Sequence, residues 1–147
     1  MNRRIALAAD HAGYEEKEII KKTLDELGVE YVDMGTDSSD SVDYPDYARK
    51  VAEAVSKGAF EQGLLVCGSG TGMAIAANKV KGVRAAVAWN EDIARLARQH
   101  NDANVLALPA RFMSDDEAGK VLKAWFAADF EGGRHAKRVE KITEIES

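Results

Sequence analysis

Cys67 is the only cysteine of the chain, and it stands at the head of a glycine-rich run that leads into a helical pattern over residues 74–79. Gly68, Gly70 and Gly72 let the backbone turn tightly and direct its N–H groups at one point, and a helix N-terminus adds a partial positive charge. Such a loop can hold an anion or an oxyanion. Because these surroundings favour thiolate over thiol, we expect the pKa of Cys67 to lie below its reference value of about 8.5, which suits a base.

A small apolar core residue is the ordinary alternative for a lone cysteine, and the neighbouring loop is the reason to favour chemistry. The loop matches none of three better-known phosphate-binding motifs. A dinucleotide fingerprint has another glycine spacing and follows the first strand, a P-loop ends in Gly-Lys-Ser/Thr, and a cysteine phosphatase loop has arginine at the place of Met73. Nucleotide binding is therefore a weak alternative.

Two polar side chains, Asp10 and His11, come where the first apolar run gives way to a helical pattern. The plain interpretation is that Asp10 caps that helix and that His11 lies on the surface. Ligands of open α/β sheets bind beyond the carboxyl ends of the strands, so the same pair is also a candidate for binding. The sequence at this point leaves both interpretations open.

Another histidine, His100, shares one face of a predicted helix with Ile93, Leu96 and Ala97, at the spacing i, i+3, i+4 and i+7, and is followed by Asn101. We therefore expect that face to be buried, with the imidazole at its far end. A core histidine with satisfied hydrogen bonds is one explanation. An imidazole that acts as general acid or base near pH 7 is the other.

Two arginines near the C-terminus, Arg134 and Arg138, lie one helical turn apart, and neither has an acidic residue three or four positions downstream. Such a run is usually a solvated helix face. Guanidinium groups without local carboxylates also suit a phosphate clamp, because they can hold phosphate oxygens in bidentate fashion. Arg111, which follows the last apolar run, is a candidate to join them.

Five short apolar runs predict the strands that position these residues, at residues 3–9, 30–33, 63–67, 83–88 and 105–108. Amphipathic segments alternate with them, and their boundary signals are Gly28, the capping-box sequence that begins at Ser114, and Gly132-Gly133. This alternation is typical of parallel strands joined by crossover helices. The sequence therefore predicts one three-layer, Rossmann-like α/β domain over residues 1–147, with an open sheet of five parallel strands, flanking helices and a C-terminal helix.

The amino-acid composition limits the classes of function that we expect for this chain. Of 147 residues, 46% are apolar and 31% are charged, which is the balance of a globular chain with a core. The formal net charge of −5 gives no reason to expect binding to nucleic acid or to an anionic membrane surface. The first apolar stretch is too short for a signal sequence or a membrane span, and one cysteine allows no intrachain disulfide, so we expect a cytoplasmic protein.

Six motifs, in their order along the chain, resemble the type B ribose-5-phosphate isomerases, a family that also includes allose-6-phosphate and galactose-6-phosphate isomerases. They are Asp10-His11-Ala12-Gly13, Asp43-Tyr44-Pro45, Cys67-Gly-Ser-Gly-Thr-Gly, Ile75-Ala-Ala-Asn-Lys79, Arg95-x-x-Arg98-Gln-His100-Asn101-Asp-Ala-Asn104 and Gly132-Gly-Arg-His135. The likeness extends from Ile5 to about Glu146. The ordered set is specific, whereas each motif alone is not.

The resemblance implies a role for each catalytic candidate. Cys67 would move the proton between C2 and C1 of the sugar, and His100 would assist the opening of the furanose ring. Asp10 would hold the ring oxygen and hydroxyls, with Tyr44 near the pocket. Met73 stands where a branch that uses a glutamate base has Glu, so Cys67 is the candidate base.

The resemblance also implies the residues that bind the substrate. Backbone N–H groups of the loop would stabilise the enediolate with help from Asn101, and the loop consists of Gly68, Ser69, Gly70, Thr71 and Gly72. The phosphate would be held by His11, Arg111, Arg134 and Arg138. No metal or organic cofactor is implied, and nothing in the local spacing of Cys67, His11 and His100 supports metal ligation.

The leading functional hypothesis is isomerisation of ribose 5-phosphate to ribulose 5-phosphate in the pentose phosphate pathway. Proteins of this kind resemble homodimers, possibly paired into tetramers, whose sites draw residues from both subunits. One alternative is a six-carbon substrate such as allose 6-phosphate, which needs only more room in the pocket. Another, from a different class, is a non-catalytic module that binds sugar phosphates.

Overall fold

Five parallel strands form one sheet. The computed structural model describes residues 3–146. The strands are β1 Arg3–Ala9, β2 Val29–Asp33, β3 Gln62–Cys67, β4 Ala85–Val87 and β5 Val105–Pro109, and their order across the sheet is β2-β1-β3-β5-β4. The strands β1, β3 and β5 are nearly continuous apolar runs because both faces of the sheet are covered there. The predicted parallel sheet is confirmed.

The edge strand β4 is shorter than the sequence predicts, because its pairing stops at Ala85 and Val87. It pairs with β5 alone. On its open side, the Asn78 side chain accepts the N–H of Ala85 at 2.7 Å and donates to the carbonyl oxygen of the same residue at 3.0 Å. This amide thus occupies backbone groups that an additional strand would need.

Six helices join and flank the strands within residues 3–146. They are α1 Tyr14–Glu26, α2 Tyr44–Ser56, α3 Thr71–Ala77, α4 Glu91–Asn101, α5 Asp115–Ala127 and α6 Arg134–Glu144. The predicted boundary signals are confirmed: Gly28 follows α1 with a φ of 72°, Ser114 and Glu117 form a capping box at α5, and Gly133 precedes α6. No helix in this part of the chain is long and apolar enough to cross a membrane.

Each face of the sheet carries its own hydrophobic core. On one face, α1, α4 and α5 pack over a cluster that includes Leu7 and Trp125. On the other, α2 and α3 pack over a cluster that includes Val51 and Met73. Since every crossover helix runs antiparallel to the strands, each of these crossover helices begins at the carboxyl edge of the sheet and ends at the amino edge.

The buried face of α4 is not the one that the sequence predicts. Ile93 and Leu96 are exposed by 44% and 38%, whereas the buried residues of this helix are Ala94, Ala97 and Arg98. The alanines let α4 approach its neighbours closely, and the Arg98 guanidinium bonds the Ala103 carbonyl and the Asp102 carboxylate. Of the predicted apolar stripe, Ile93 and Leu96 therefore face outward, and Ala97 is buried as expected.

A buried carboxyl on α1 makes the stability of the fold depend on pH. Burial, and then the neighbouring Asp115 carboxyl, raises the pKa of Glu16 from 4.5 to about 7. The folded protein keeps a proton that the unfolded chain releases, so stability is lost as the pH rises from about 4.5 to about 7. We expect Glu16→Gln to raise the free energy of unfolding at pH 8 by about 1–2 kcal/mol and to change it little at pH 4.

Urea unfolding at the two pH values measures this effect. Glu15→Gln is the matched control, because Glu15 is the exposed neighbour on the same helix. An equal change in both variants at pH 8 would mean that the burial of Glu16 is not the cause.

Candidate functional site

The sulfur of Cys67 lies at the carboxyl end of β3, inside the turn that leads to α3. The Gly70 N–H donates to Sγ at 3.1 Å, and the backbone N–H groups of Met73 and Ser69 also favour charge on the sulfur. Gly70 has a φ of 78°, a left-handed conformation that glycine adopts without strain. The predicted cradle of N–H groups is thus present, and in the free protein it surrounds the thiol itself.

The expectation that these N–H groups lower the thiol pKa is wrong in its net sign. Burial raises the pKa of Cys67 above its ordinary value, and the negative charge of Asp10 raises it further. The backbone N–H groups act in the opposite direction but do not outweigh the loss of solvent around a side chain that is only 5% exposed. The free protein therefore holds Cys67 as a thiol at neutral pH.

Asp10 and His11 lie beside Cys67, on the turn between β1 and α1. The buried Asp10 carboxylate accepts the N–H of Gly13 at 2.9 Å, so it shapes the turn before α1 rather than capping the first turn of the helix itself. Gly13 packs directly on the Val66 carbonyl, where a Cβ atom would clash. This close approach of the two backbones brings the Asp10 turn against the end of β3.

The imidazole of His11 is oriented by a loop that follows β2. The Val42 N–H donates to Nδ1 of His11 at 3.1 Å. In the neutral form, the proton of the ring must then lie on Nε2, which leaves Nε2–H free to donate to a ligand. A donor at this place suits an anionic group of a substrate.

Tyr44 and Arg111 close the same edge of the sheet from two sides. The Tyr44 ring packs on Gly72, where a Cβ atom would approach within 2.7 Å of Cε1. The Arg111 side chain packs on Gly68, and the backbone N–H of Arg111 donates to the Gly68 carbonyl at 3.0 Å. A Cβ atom at position 72 would force the Tyr44 ring to move, whereas one at position 68 would require only a small shift of the Arg111 side chain. On the exposed tip of the loop, Ser69 Oγ accepts the N–H of Thr71 at 3.3 Å.

The remaining predicted site residues lie at the other edge of the sheet. His100 and Asn101 end α4, a helix of 11 residues that spans about 16 Å, and Arg134 and Arg138 lie on the exposed side of α6. Within one copy of the chain, these residues do not meet the Cys67 group. The candidate residues thus form two separate groups, and the sequence did not distinguish them.

A residue without a predicted role, His135, contacts His100. The two imidazole rings stack with their centroids 4.2 Å apart and their planes 11° apart, and Glu131 Oε1 lies 3.7 Å from Nε2 of His100 and 3.8 Å from Nε2 of His135. Burial, and then the charges of His100 and Arg134, lowers the pKa of His135. His135 was visible in the Gly-Gly-Arg-His motif, but Glu131 carries no signal in the sequence.

Comparison with known proteins identifies the family. Residues 5–142 match the family described as ribose/galactose isomerase. The chain belongs to this family. It is 49% identical over 144 residues to the ribose-5-phosphate isomerase B of Escherichia coli, and the alignment covers 98% of this chain and 97% of that protein. The family predicted from the six motifs is therefore confirmed.

Two solved structures of isomerases share the fold. The ribose-5-phosphate isomerase B of Clostridium thermocellum matches with a TM-score of 0.95 and 50% identity, over 97% of both chains. That of Mycoplasma genitalium, solved with bound ribulose-5-phosphate, matches with a TM-score of 0.92 and 45% identity, over 97% of this chain and 95% of that chain. These likenesses also confirm the predicted fold of the isomerase.

The direction of the Cys67 pKa can be tested by alkylation. We expect the rate of reaction with iodoacetamide in the free protein to rise with a midpoint above about pH 8.5, because the thiolate is the reactive form and burial disfavours it. Asp10→Asn should lower this midpoint, since it removes a negative charge but keeps the acceptor for Gly13. Mass spectrometry of the Cys67 peptide over a pH series gives the rate.

The control for this experiment is Asp25→Asn, a charge change at the far end of α1. It should leave the midpoint where it is in the original chain. A midpoint below about 8.5 in the unsubstituted protein would restore the expectation drawn from the sequence.

Proposed function

We propose that this chain interconverts ribose 5-phosphate and ribulose 5-phosphate through an enediolate. The observation that carries the proposal is a thiol, Cys67, enclosed by backbone N–H groups and set beside the Asp10 carboxylate. Moving a proton between adjacent carbons next to a carbonyl needs a base and a donor set for the enediolate oxygen. The names of the relatives and the ribulose-5-phosphate bound to the Mycoplasma genitalium protein support the same substrate.

In the proposed reaction, the base takes the proton from C2 of the open-chain aldose and returns it to C1. Cys67 must first lose its own proton, because burial keeps it protonated in the free protein. Asp10 is the carboxylate in this group that can accept that proton while it holds the sugar hydroxyls. The N–H groups of the loop from Gly68 to Gly72, which include those of Ser69 and Thr71, then stabilise the enediolate.

The acid that opens the sugar ring is, in this proposal, supplied by a second copy of the chain. His100 and Asn101 lie at the opposite edge of the sheet from Cys67, so one copy does not hold a complete site. The exposed stripe of Ile93 and Leu96 on the same helix supports an interface there, since exposed apolar side chains beside functional residues commonly mark contacts between proteins. We therefore propose a homodimer with two shared sites.

The phosphate would be held by side chains of both copies. His11 and Arg111 belong to the Cys67 group, whereas Arg134 and Arg138 belong to the His100 group. Neither of these last two arginines makes an ion pair with another residue within residues 3–146, so both guanidinium groups are available for an anionic ligand. Four donors around a dianion would fix the sugar at its far end and leave C1 and C2 near Cys67.

The broader setting is also a proposal. We propose that residues 1–147 make up a single isomerase domain. We propose that it acts in the cytoplasm within the pentose phosphate pathway, where ribose 5-phosphate and ribulose 5-phosphate are exchanged. Pairing of dimers into tetramers is compatible with this assembly.

The substrate is tested by a direct assay. We expect purified protein to convert ribose 5-phosphate in preference to allose 6-phosphate, and Cys67→Ala to lose activity by about 1,000-fold or more while it remains folded. Circular dichroism verifies the fold of the variant, and the ketose product is measured for both sugars. Preference for the six-carbon sugar would overturn the substrate, and no reaction of either sugar would favour a binding module.

The shared site is tested by mixing two inactive variants. In a mixed dimer of Cys67→Ala and His100→Gln, one of the two sites has both residues intact. Mixing under conditions that exchange subunits should therefore restore about a quarter of the original activity at random pairing. Equal amounts of each variant alone are the control, and no recovery despite proven exchange would place both residues in one copy.

A further inference from the structure

Three potential metal ligands meet where α4 ends and α6 begins. They are one ring nitrogen of His100, one ring nitrogen of His135 and a carboxylate oxygen of Glu131, and all three atoms lie within 4.8 Å of one another. Glu131 and His135 are four positions apart, whereas His100 precedes Glu131 by 31 positions, so the local spacing of histidines and cysteine gave no sign of a site. Within one copy of the chain, this set is separate from the thiol and carboxylate of the Cys67 group.

We propose that His100, Glu131 and His135 form an inhibitory binding site for Zn²⁺ and similar transition-metal ions. Two neutral imidazoles and one carboxylate are a ligand set that zinc takes in proteins, usually with a fourth position open to water or another ligand. The site is distinct from any cofactor requirement of the isomerase reaction.

The distances from the imidazole nitrogens to the carboxylate oxygen are close to the ligand–ligand distances around a bound zinc ion. Each Nε2 atom lies 3.7 or 3.8 Å from Glu131 Oε1, which is too long for a hydrogen bond. Ligands about 2.0–2.2 Å from a tetrahedral zinc ion lie about 3.3 Å from one another, so shifts of roughly half an ångström bring the carboxylate into range of both rings. The separation of the Glu131 oxygen from the two imidazole nitrogens thus suits ligands of one shared cation better than a direct hydrogen bond.

The side chains are free to make this adjustment. The stacked rings are nearly parallel, so one of them must rotate for both lone pairs to meet at one ion. Within residues 3–146, neither imidazole makes a hydrogen bond that would oppose the rotation. The His100 and Glu131 side chains are 36% and 51% exposed, so an ion can reach the ligands from solvent.

Nearby charges make the carboxylate indispensable. Arg134 and Arg138 are positive and lower the pKa of His135 by their charge, so they also oppose a divalent cation. Glu131 is the one anionic member of the set and offsets part of that repulsion. Binding should therefore depend on Glu131 more than on either imidazole alone.

Occupation of the site would remove an imidazole from the proposed reaction. A metal on Nε2 of His100 takes the lone pair that the ring needs to exchange protons, so ring opening should fail. This consequence rests on the role proposed for His100, whereas metal binding itself does not. The two parts can therefore be tested separately.

Binding is tested with Co²⁺ and Zn²⁺ on the full chain, in buffer without phosphate or thiols. We expect Co²⁺ to give the intense visible absorption of a four-coordinate site, and Zn²⁺ to displace it. Loss of an outer partner of a metal site costs roughly 10–100-fold in affinity, and both Glu131→Gln and His135→Gln should weaken binding by more than this, with the larger loss in Glu131→Gln. Glu140→Gln, an exposed carboxylate on α6, is the matched control and should bind as the original chain does.

The Cys67 sulfur is the competing ligand for Co²⁺, and a thiolate-bound Co²⁺ ion has a different absorption spectrum. Co²⁺ bound to thiolate adds a charge-transfer band in the near ultraviolet, so binding that persists in Glu131→Gln but is lost in Cys67→Ser would overturn the proposal. Absence of Co²⁺ binding in the original chain would overturn it as well. Binding at this site without inhibition of sugar-phosphate turnover would keep the metal site and remove the role proposed for His100.

Discussion

The parallel direction of all five strands is the constraint on which the arrangement of this protein depends. A parallel sheet needs a crossover after every strand, and each crossover helix begins at the carboxyl edge and ends at the amino edge. Turns that follow strands, such as those with Asp10 and Cys67, are therefore gathered at one edge. Helix ends, such as that of α4 with His100, are gathered at the other.

Close backbone contacts then set the geometry at the carboxyl edge. Gly13 packs on the Val66 carbonyl, and Gly68 and Gly72 pack beneath Arg111 and Tyr44. A Cβ atom at position 13 would clash with the backbone of β3, one at position 72 would displace the Tyr44 ring, and one at position 68 would shift Arg111 slightly. The glycines of this region thus serve the fit between turns as well as the N–H groups around the Cys67 sulfur.

Burial and hydrogen bonding act against each other at that sulfur. The N–H groups would stabilise a thiolate, while the loss of solvent and the Asp10 charge stabilise the thiol, and the thiol is favoured overall. A cysteine held as the thiol is protected from oxidation and alkylation, which require thiolate.

The sequence by itself determined the family, the five parallel strands, most helix boundaries and the glycine loop, because these follow from short-range patterns of apolar residues, turn residues and ordered motifs. It did not determine the outward stripe of Ile93 and Leu96, the sign of the Cys67 pKa shift, or the contact of His100 with Glu131 and His135. Each of these depends on which groups the folded chain brings together and how much water it removes from them. Such quantities are properties of packing between distant segments, so only the tertiary structure decided them.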